Sequence, residues 1–358
     1  MSSLESRLAA TLWSALGGDH TLLESVRFSG IGGGLPSRFH VSELATATIA
    51  VATLAAAELW AARRGEKLRA VTVDRRLAAA AFQCERLLRP LNWTLPALRE
   101  PLTGDYETAD GWIRLHTNYS YHRDALLRVL DVPAERGRVA AAVRSANATE
   151  LETAIIDAGG CAATLRTIDA WRAHPQGAAL ASETLCNWDA AFAPHALLSD
   201  VSAPLRGVCV LDLTRVIAGP VATRYLAAFG ADVLRIDPPE WNEPAIEPEV
   251  TVGKRCARLD LRQASDRARF ERLIADADVF IHGYRPEALD GLGLGEDVRR
   301  AVNPGLVDVR LDAYGWSGPW RNRRGFDSLV QMSTGIAAAG LEWRSADKPV
   351  PLPASYRG

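Results

Sequence analysis

The stretch from Val208 to Pro238, VCVLDLTRVIAGPVATRYLAAFGADVLRIDP, constrains the fold more than any other part of the chain. An apolar run at Val208, Val210 and Leu211 is punctuated by Gly219-Pro220. Leu226, Ala227 and Phe229 follow at helical spacing, Gly230 stops the helix, and Ala231 to Asp237 begins a second run. The β-rich runs read as strands and the wider spacing as a helix. Strand, helix and strand in this order make a βαβ unit, from which open parallel sheets are built. The first turn carries Ala218-Gly219-Pro220 in place of Gly-x-Gly-x-x-Gly, and no glycine-rich loop ends in Lys-Ser or Lys-Thr. Neither a dinucleotide fingerprint nor a P-loop is therefore present. Gly32-Gly33-Gly34 has no strong strand before it and reads as a turn.

At 358 residues the chain is long enough for two domains. Its 41 Lys and Arg against 43 Asp and Glu give a formal charge of -2, so there is no basic footprint and no nucleic-acid partner is expected. Cys84, Cys161, Cys186, Cys209 and Cys256 are scattered, odd in number and without a CxxC, which predicts neither a disulfide scaffold nor a zinc site. The MSSLESRL start lacks a secretion core, and Leu44 to Ala62, with its threonines and Glu58, suits a buried helix better than a membrane span. The expectation is a cytoplasmic protein with no membrane partner.

Periodicity predicts a helical lead-in over residues 1–30, a long helix from Val41 to Arg64, a strand at Arg69 to Asp74 and a helix from Arg76 to about Leu88. The proline-rich interval Pro90 to Pro101 marks a boundary. Tyr106 to Leu115 reads as two strands around Asp110-Gly111, followed by a mostly helical region to about Leu185 and a loop around Ala193-Pro194 and Ala203-Pro204. Further strands are expected at Asp278 to His282 and Leu306 to Leu311. The division is 1–95, 96–200 and 201–358.

The motifs VLDLTRVIAGP at Val210 to Pro220, GADVLRID at Gly230 to Asp237, KRCARLDL at Lys254 to Leu261 and ADVFIHGYRPEAL at Ala277 to Leu289 occur in order. They continue with LGLG at Leu292 to Gly295, NPGLV at Asn303 to Val307, YGWSGP at Tyr314 to Pro319 and RGFDSLVQMSTG at Arg324 to Gly335. In this series the sequence resembles the family III CoA-transferases, the group of formyl-CoA transferase, carnitine CoA-transferase and alpha-methylacyl-CoA racemase. The resemblance implies an α/β fold, a Rossmann-like mostly parallel sheet with a smaller α+β domain, in an intertwined homodimer. YETADGWI at Tyr106 to Ile113 and His174-Pro175-Gln176 look like the family's small domain. VSELATATIA at Val41 to Ala50 resembles the segment of its catalytic carboxylate. The later family half thus precedes the earlier one, as in a circular permutation. An incomplete duplication is the alternative, because Lys348 to Pro353 also matches the approach to the catalytic segment and no Asp follows Leu352.

The resemblance makes Glu43 the candidate nucleophile, with Glu in place of the family's Asp and Leu44 to Thr48 in place of its glycine-rich surroundings. A residue capping the long helix is the structural alternative. It implies no tightly bound cofactor, with coenzyme A or acyl-CoA as substrate and a carboxylic acid as acceptor. Val216, Ile217 and Ala218 at the first turn, with Gly283, Tyr284 and Arg285, are the candidate CoA contacts, and Arg285 suits a phosphate. Arg235, Lys254 and Arg255 are further candidate cations. The helix after Glu43 is expected to pack on the sheet containing Val208 to Leu211, with Trp60 closing the far end. Phe326 stands where racemase relatives carry a histidine before Asp327, which disfavours a racemase; Asp327 reads as bracing a helix. His40, His116 and His122 have no metal-ligand spacing, and no metal site is expected. A partner-dependent or non-catalytic relative is the competing reading.

Overall fold

The computed structural model describes residues 3–97, 100–188, 202–285 and 287–354. Ten strands lie among them: β1 Val26–Ser29, β2 Val71–Asp74, β3 Gly104–Glu107, β4 Trp112–Leu115, β5 Ala162–Thr164, β6 Cys209–Leu213, β7 Asp232–Asp237, β8 Arg255–Arg258, β9 Val279–His282 and β10 Val307–Arg310. They fall into two compact units. The first comprises Met1–Gly34, Ser42–Arg89 and Thr184–Asp312; the second comprises Leu35–Val41, Pro90–Glu183 and the chain from Ala313 onward.

The first unit is built on a five-stranded, wholly parallel sheet in the order β10-β9-β6-β7-β8. Alternation along β6 sends Val210 to one face and Leu211 and Leu213 to the other. On the first face Val210, Val233 and Ile281 pack under Leu226 and Ala227 of the helix Ala218–Ala228. On the second, Leu211, Leu213, Ile236 and Phe280 meet Phe270 and Ile274 of the helix Ala264–Ala275. Burying each such large side chain contributes about 1.5–3 kcal/mol. Gly230, at φ +98°, ends the helix Ala218–Ala228 as the sequence predicts, in a conformation that disfavours a β-carbon.

The long helix forms at Val41–Arg64 and carries the crossover between β1 and β2, which pair in parallel. It is long and apolar enough to cross a membrane by length and composition. Here Ala47, Ala50, Val51 and Leu54 are buried with Val71, Val73, Ala9 and Trp13. The expected packing is thereby corrected: the apolar face of this helix is taken up by β1, β2 and the helix Leu4–Ala15, because β1 supplies a partner that the sequence reading placed inside a helical lead-in. Trp60 is 38% exposed. Near the same end of the helix Arg63 donates to the carbonyls of Pro204 and Arg206, each at 2.8 Å. The Thr53 and Tyr225 hydroxyls bond at 2.5 Å.

The second unit holds the antiparallel sheet β3-β4-β5. β3 and β4 form the expected hairpin at Asp110-Gly111, where Asp110 accepts from Asn147 Nδ2 at 2.6 Å and the Ala148 N–H at 2.9 Å. β5 interrupts the region read as helical, its three small residues Ala162, Ala163 and Thr164 giving little strand signal. The helix expected over 76–88 breaks into Arg75–Ala81 and Cys84–Leu87. Residues from Ala313 onward pack in this unit, whereas the sequence division grouped them with the parallel sheet. Their anchor is Glu152, which pairs with Arg166 at 2.5 Å and Arg323 at 2.8 Å. Arg323 lies 3.8 Å over Trp320, and Gln176 donates to the carbonyls of Tyr314 and Ser317. The Ala193-Pro194 loop lies outside the described residues.

Candidate functional site

β6 is the first strand of its sheet in chain order and occupies its centre. The chain moves outward through β7 and β8 on one side and returns to add β9 and β10 on the other. Ligands of open α/β sheets bind outside the carboxyl ends of the strands at such a switch point. The register Leu213↔His282 makes the loops after β6 and β9 neighbours as they leave the sheet. Val216, Ile217 and Ala218 are in the first loop and Gly283, Tyr284 and Arg285 in the second, so six of the candidate residues gather at one crevice. Ala218, Gly283 and Arg285 are exposed, and a β-carbon on Gly283 would meet nothing within 4 Å.

The first loop is tightly shaped. A β-carbon on Gly219 would sit 2.2 Å from Thr214 Cβ, so only glycine lets the first helical turn approach the strand exit. Val216 adopts φ +66°, a left-handed conformation costing a β-branched residue about 1–3 kcal/mol. Its N–H donates to the Glu243 carboxylate at 3.1 and 3.3 Å.

Beneath the loop lies a buried polar knot. Asp212 Oδ1 accepts from the Thr214 N–H at 2.9 Å, and Oδ2 accepts from Thr223 Oγ1 at 2.5 Å and Lys254 Nζ at 2.9 Å. Lys254 also donates to the Pro220 carbonyl at 2.8 Å and to Thr223 Oγ1 at 2.6 Å, so its three protons have three partners. Both side chains of the ion pair are fully buried. Burial pulls the Lys254 ammonium below the usual lysine range, against the opposing attraction of Asp212. The expectation that Lys254 meets a CoA phosphate is corrected accordingly: it ties β6 to the helix Ala218–Ala228.

Arg235 also turns inward. Its side chain is 1% exposed and pairs with Asp237 at 2.8 Å and Glu243 at 3.0 Å. Arg255 is exposed on edge strand β8 and pairs with Asp232 at 2.7 Å. Neither residue joins the crevice group.

Arg215, which the sequence reading passed over, stands at the crevice with Arg285. Its guanidinium lies 4.7 Å from the Trp241 ring centre and 5.0 Å from that of Tyr284, and it donates to Tyr284 Oη at 2.9 Å. Its Nε is 3.8 Å from Asp237. The signal available was an arginine two residues past the end of an apolar strand. Beside it opens a cavity of about 210 Å³ at the ends of β6 and β7. Leu213, Ile236, Leu259, Leu261 and Leu292 make it apolar, while Arg215, Arg262, Asp237, Glu240, Asp260 and Tyr284 carry its polar groups. Such a site accepts a flat, apolar-faced group with polar groups at its margin.

Glu43 sits in the first turn of the helix Val41–Arg64, half-buried. Asp327 opens the helix Asp327–Ser333 and accepts from Gln331 Nε2 at 2.8 Å, the bracing role expected of it. Burial pushes its carboxyl up. The ring of His116 stacks on Phe326 at 3.8 Å. Burial drives His116 down to about 3 and His122 to about 4, so both are neutral at ordinary pH. Among the described residues no group of three or more His, Cys, Asp or Glu is arranged to hold a metal ion.

Residues 205–353, which contain the whole parallel sheet and its crevice, match the family described as CoA-transferase family III. This segment belongs to CoA-transferase family III. The chain is 36% identical over 157 residues to acetyl-coenzyme A transferase nodX of Hypoxylon pulicicidum, a match covering 42% of this chain and 26% of the relative. It is 34% identical over 148 residues to succinyl-CoA–D-citramalate CoA-transferase of Chloroflexus aurantiacus, covering 38% of this chain and 37% of the relative. Among solved structures it is similar to that of the hypothetical protein Rv3272 of Mycobacterium tuberculosis, at 37% identity over 38% of this chain and 41% of that one, with a TM-score of 0.35. The chain thus spans well under half the length of these relatives.

Proposed function

We propose that this protein is an acyl-CoA:carboxylate CoA-transferase whose switch-point crevice receives coenzyme A. The reading is carried by one observation: the family III segment folds into a parallel sheet whose two switch-point loops bring Val216 to Ala218 and Gly283 to Arg285 together. The apolar cavity beside them suits the base of CoA, and Arg215 and Arg285 suit its phosphates.

Glu43 is the proposed nucleophile. Its carboxylate attacks the donor thioester carbonyl and expels CoA as the thiolate, leaving a mixed anhydride. The thiolate then attacks the Glu43 carbonyl of that anhydride, releasing the donor acid as a carboxylate and leaving an enzyme–CoA thioester. An acceptor carboxylate repeats the two steps in reverse, so CoA returns and Glu43 is regenerated. Covalent exchange divides one difficult transfer into easier ones. Backbone N–H groups facing the carbonyl would hold the developing oxyanion. The same reading makes CoA a substrate in place of a tightly bound cofactor, and the enzyme a cytoplasmic homodimer. A 2-methylacyl-CoA racemase is less well supported: Phe326 carries no base, and the His116 ring stacked on it is held too acidic to take a proton near neutrality.

The test is Glu43→Gln, assayed by CoA exchange between a thioester donor and a labelled carboxylic acid. Turnover should fall at least about 100-fold, and hydroxylamine-sensitive enzyme–CoA thioester should vanish, while calorimetric CoA binding persists. Undiminished exchange by the variant would refute the nucleophile, and absence of CoA binding by the wild type would refute the site.

A further inference from the structure

The chain between β7 and the short helix Glu247–Val250 touches the first loop of the crevice at two points. Trp241 lies against the Arg215 guanidinium, and the Glu243 carboxylate accepts the Val216 N–H. The backbone of this segment is itself tied down. Arg258 donates to the carbonyls of Pro238 at 3.0 Å and Pro239 at 3.1 Å, and to that of Trp241. The Glu243 carbonyl accepts from the Ile246 N–H at 3.0 Å and the Glu247 N–H at 2.9 Å. Glu243 is therefore a fixed acceptor, with a side chain only 7% exposed. Val216 precedes Ile217, the N-cap of the helix Ala218–Ala228, and Ile217 supplies no side-chain cap. The first loop thus takes its anchoring carboxylate from the far side of β7.

We propose that Glu243 is a positioning residue for the CoA loop: its carboxylate holds Val216 left-handed and so fixes the path of Ile217 and Ala218 past the ligand. The proposal rests on the reading of the crevice as a CoA site. Val216 is β-branched and sits at φ +66°, a conformation it would leave if unheld. A backbone N–H given to an ionised carboxylate makes one of the stronger hydrogen bonds, which offsets that strain. Without it the loop would keep its shape only part of the time, and apparent ligand affinity falls by the fraction lost. Charge sets a second condition. A bare carboxylate at the crevice would repel a ligand that carries phosphates. Arg235 stands behind Glu243 and pairs with it at 3.0 Å, while Arg235 and Arg215 share Asp237 at 2.8 and 3.8 Å. Two guanidinium groups thus balance two carboxylates, so Glu243 can anchor the loop without turning the ligand away. Arg235 serves the crevice through Glu243 and touches no ligand.

The experiment compares Glu243→Ala and Glu243→Gln in the full chain, by CoA calorimetry and by the KM and kcat of a donor thioester. Alanine should weaken CoA binding and raise KM by at least about ten-fold, with kcat changed by less than about three-fold. Glutamine, whose amide oxygen still accepts from the Val216 N–H, should restore most of the loss. The alanine change is repeated with Val216→Gly, because glycine takes the left-handed conformation without strain. There it should cost less than about three-fold, whereas a merely structural Glu243 would cost the same in both backgrounds. Hydrogen exchange at the Val216 amide, read without ligand, should quicken at least about ten-fold in the alanine variant and stay near wild type with glutamine. Arg235 keeps Asp237, so alanine strands no charge; should it still fail to fold, Glu243→Asp keeps the charge, shortens the reach and should behave as alanine does. Unchanged Val216 exchange without the carboxylate, or an equal loss of CoA binding in the valine and glycine backgrounds, would overturn the proposal. A wild type that binds no CoA would refute the reading of the crevice itself, and the exchange measurement would still decide whether Glu243 holds the loop.

Discussion

Replacing Lys254 by methionine distinguishes a structural tie from a phosphate ligand. Lys254 and Asp212 bond at 2.9 Å with both side chains fully buried, and the other two ammonium protons go to Pro220 and Thr223. Methionine fills similar volume but leaves the Asp212 carboxylate in a dry site with only the threonine donors. Removing one partner of a buried pair costs about 3–5 kcal/mol. At about 2–4 °C per kcal/mol for a unit of this size, the melting temperature should fall by about 6–20 °C. Asp212→Asn combined with Lys254→Met removes the stranded charge and should recover about half of the loss, a coupling that a double-mutant cycle reads directly. The assay is thermal unfolding followed by tryptophan fluorescence, with CoA binding by calorimetry at a temperature where the variant is folded. A phosphate ligand would show the opposite pattern. If Lys254→Met melts within about 2 °C of the wild type and binds CoA much more weakly, the buried-tie reasoning is refuted.

Two further outcomes follow from the same kind of bookkeeping. Burial alone would raise the Glu152 carboxyl, but bonds from Arg166, Arg323 and the Thr164 N–H hold it below the ordinary 4.5. The folded state thus prefers the ionised form, so the stabilisation is complete above about pH 4.5 and is lost as pH falls through the lower folded value. Glu152→Gln should melt earlier at pH 7, by the equivalent of about 3 kcal/mol, with the gap to wild type shrinking as pH falls below about 4.5; a gap that is constant with pH would contradict the assignment. Val216→Asn should stabilise the fold by about 1 kcal/mol, because asparagine tolerates the left-handed conformation better than a β-branched residue, and chemical denaturation midpoints would show it. An unchanged or lower midpoint would mean that Val216 is not strained.

The parallel sheet was legible at β6, β7, β9 and β10, where apolar runs alternate with helical spacing; β8, with the sequence RCAR, carries no apolar run and was not read as a strand. Gly219 and Gly230 were legible because glycine marks places where a β-carbon does not fit. β1 and β5 were not. Val26–Ser29 offers four residues with only two apolar ones, and Ala162–Thr164 is made of small residues that read equally as helix. In the site, the loop residues could be placed by their position at strand ends. The fate of the cations could not, because a lysine or arginine in sequence does not reveal whether a carboxylate waits inside the fold. Lys254 and Arg235 met Asp212 and Asp237, residues whose burial is set by the pleat of β6 and β7. Arg215 escaped notice for the converse reason: its partners Trp241 and Tyr284 are distant in sequence and meet it only when the strand ends converge.

The first unit is stitched from separated stretches of chain, and this sets a timetable for a nascent polypeptide. The helix Val41–Arg64 can close on β1 and β2 as soon as Asp74 has been made. Yet the carbonyls that Arg63 grips belong to Pro204 and Arg206, and the hydroxyl that Thr53 meets belongs to Tyr225. At about 5–20 residues per second, the ribosome takes roughly 7–30 seconds to travel from the arginine to those partners. Throughout that interval one flank of a long alanine-rich helix lacks these partners while the whole middle of the protein is synthesised. The interval is long compared with helix formation and hydrophobic collapse, which take microseconds. Yield in a living cell is therefore set as much by what shields that flank during translation as by the stability of the finished fold.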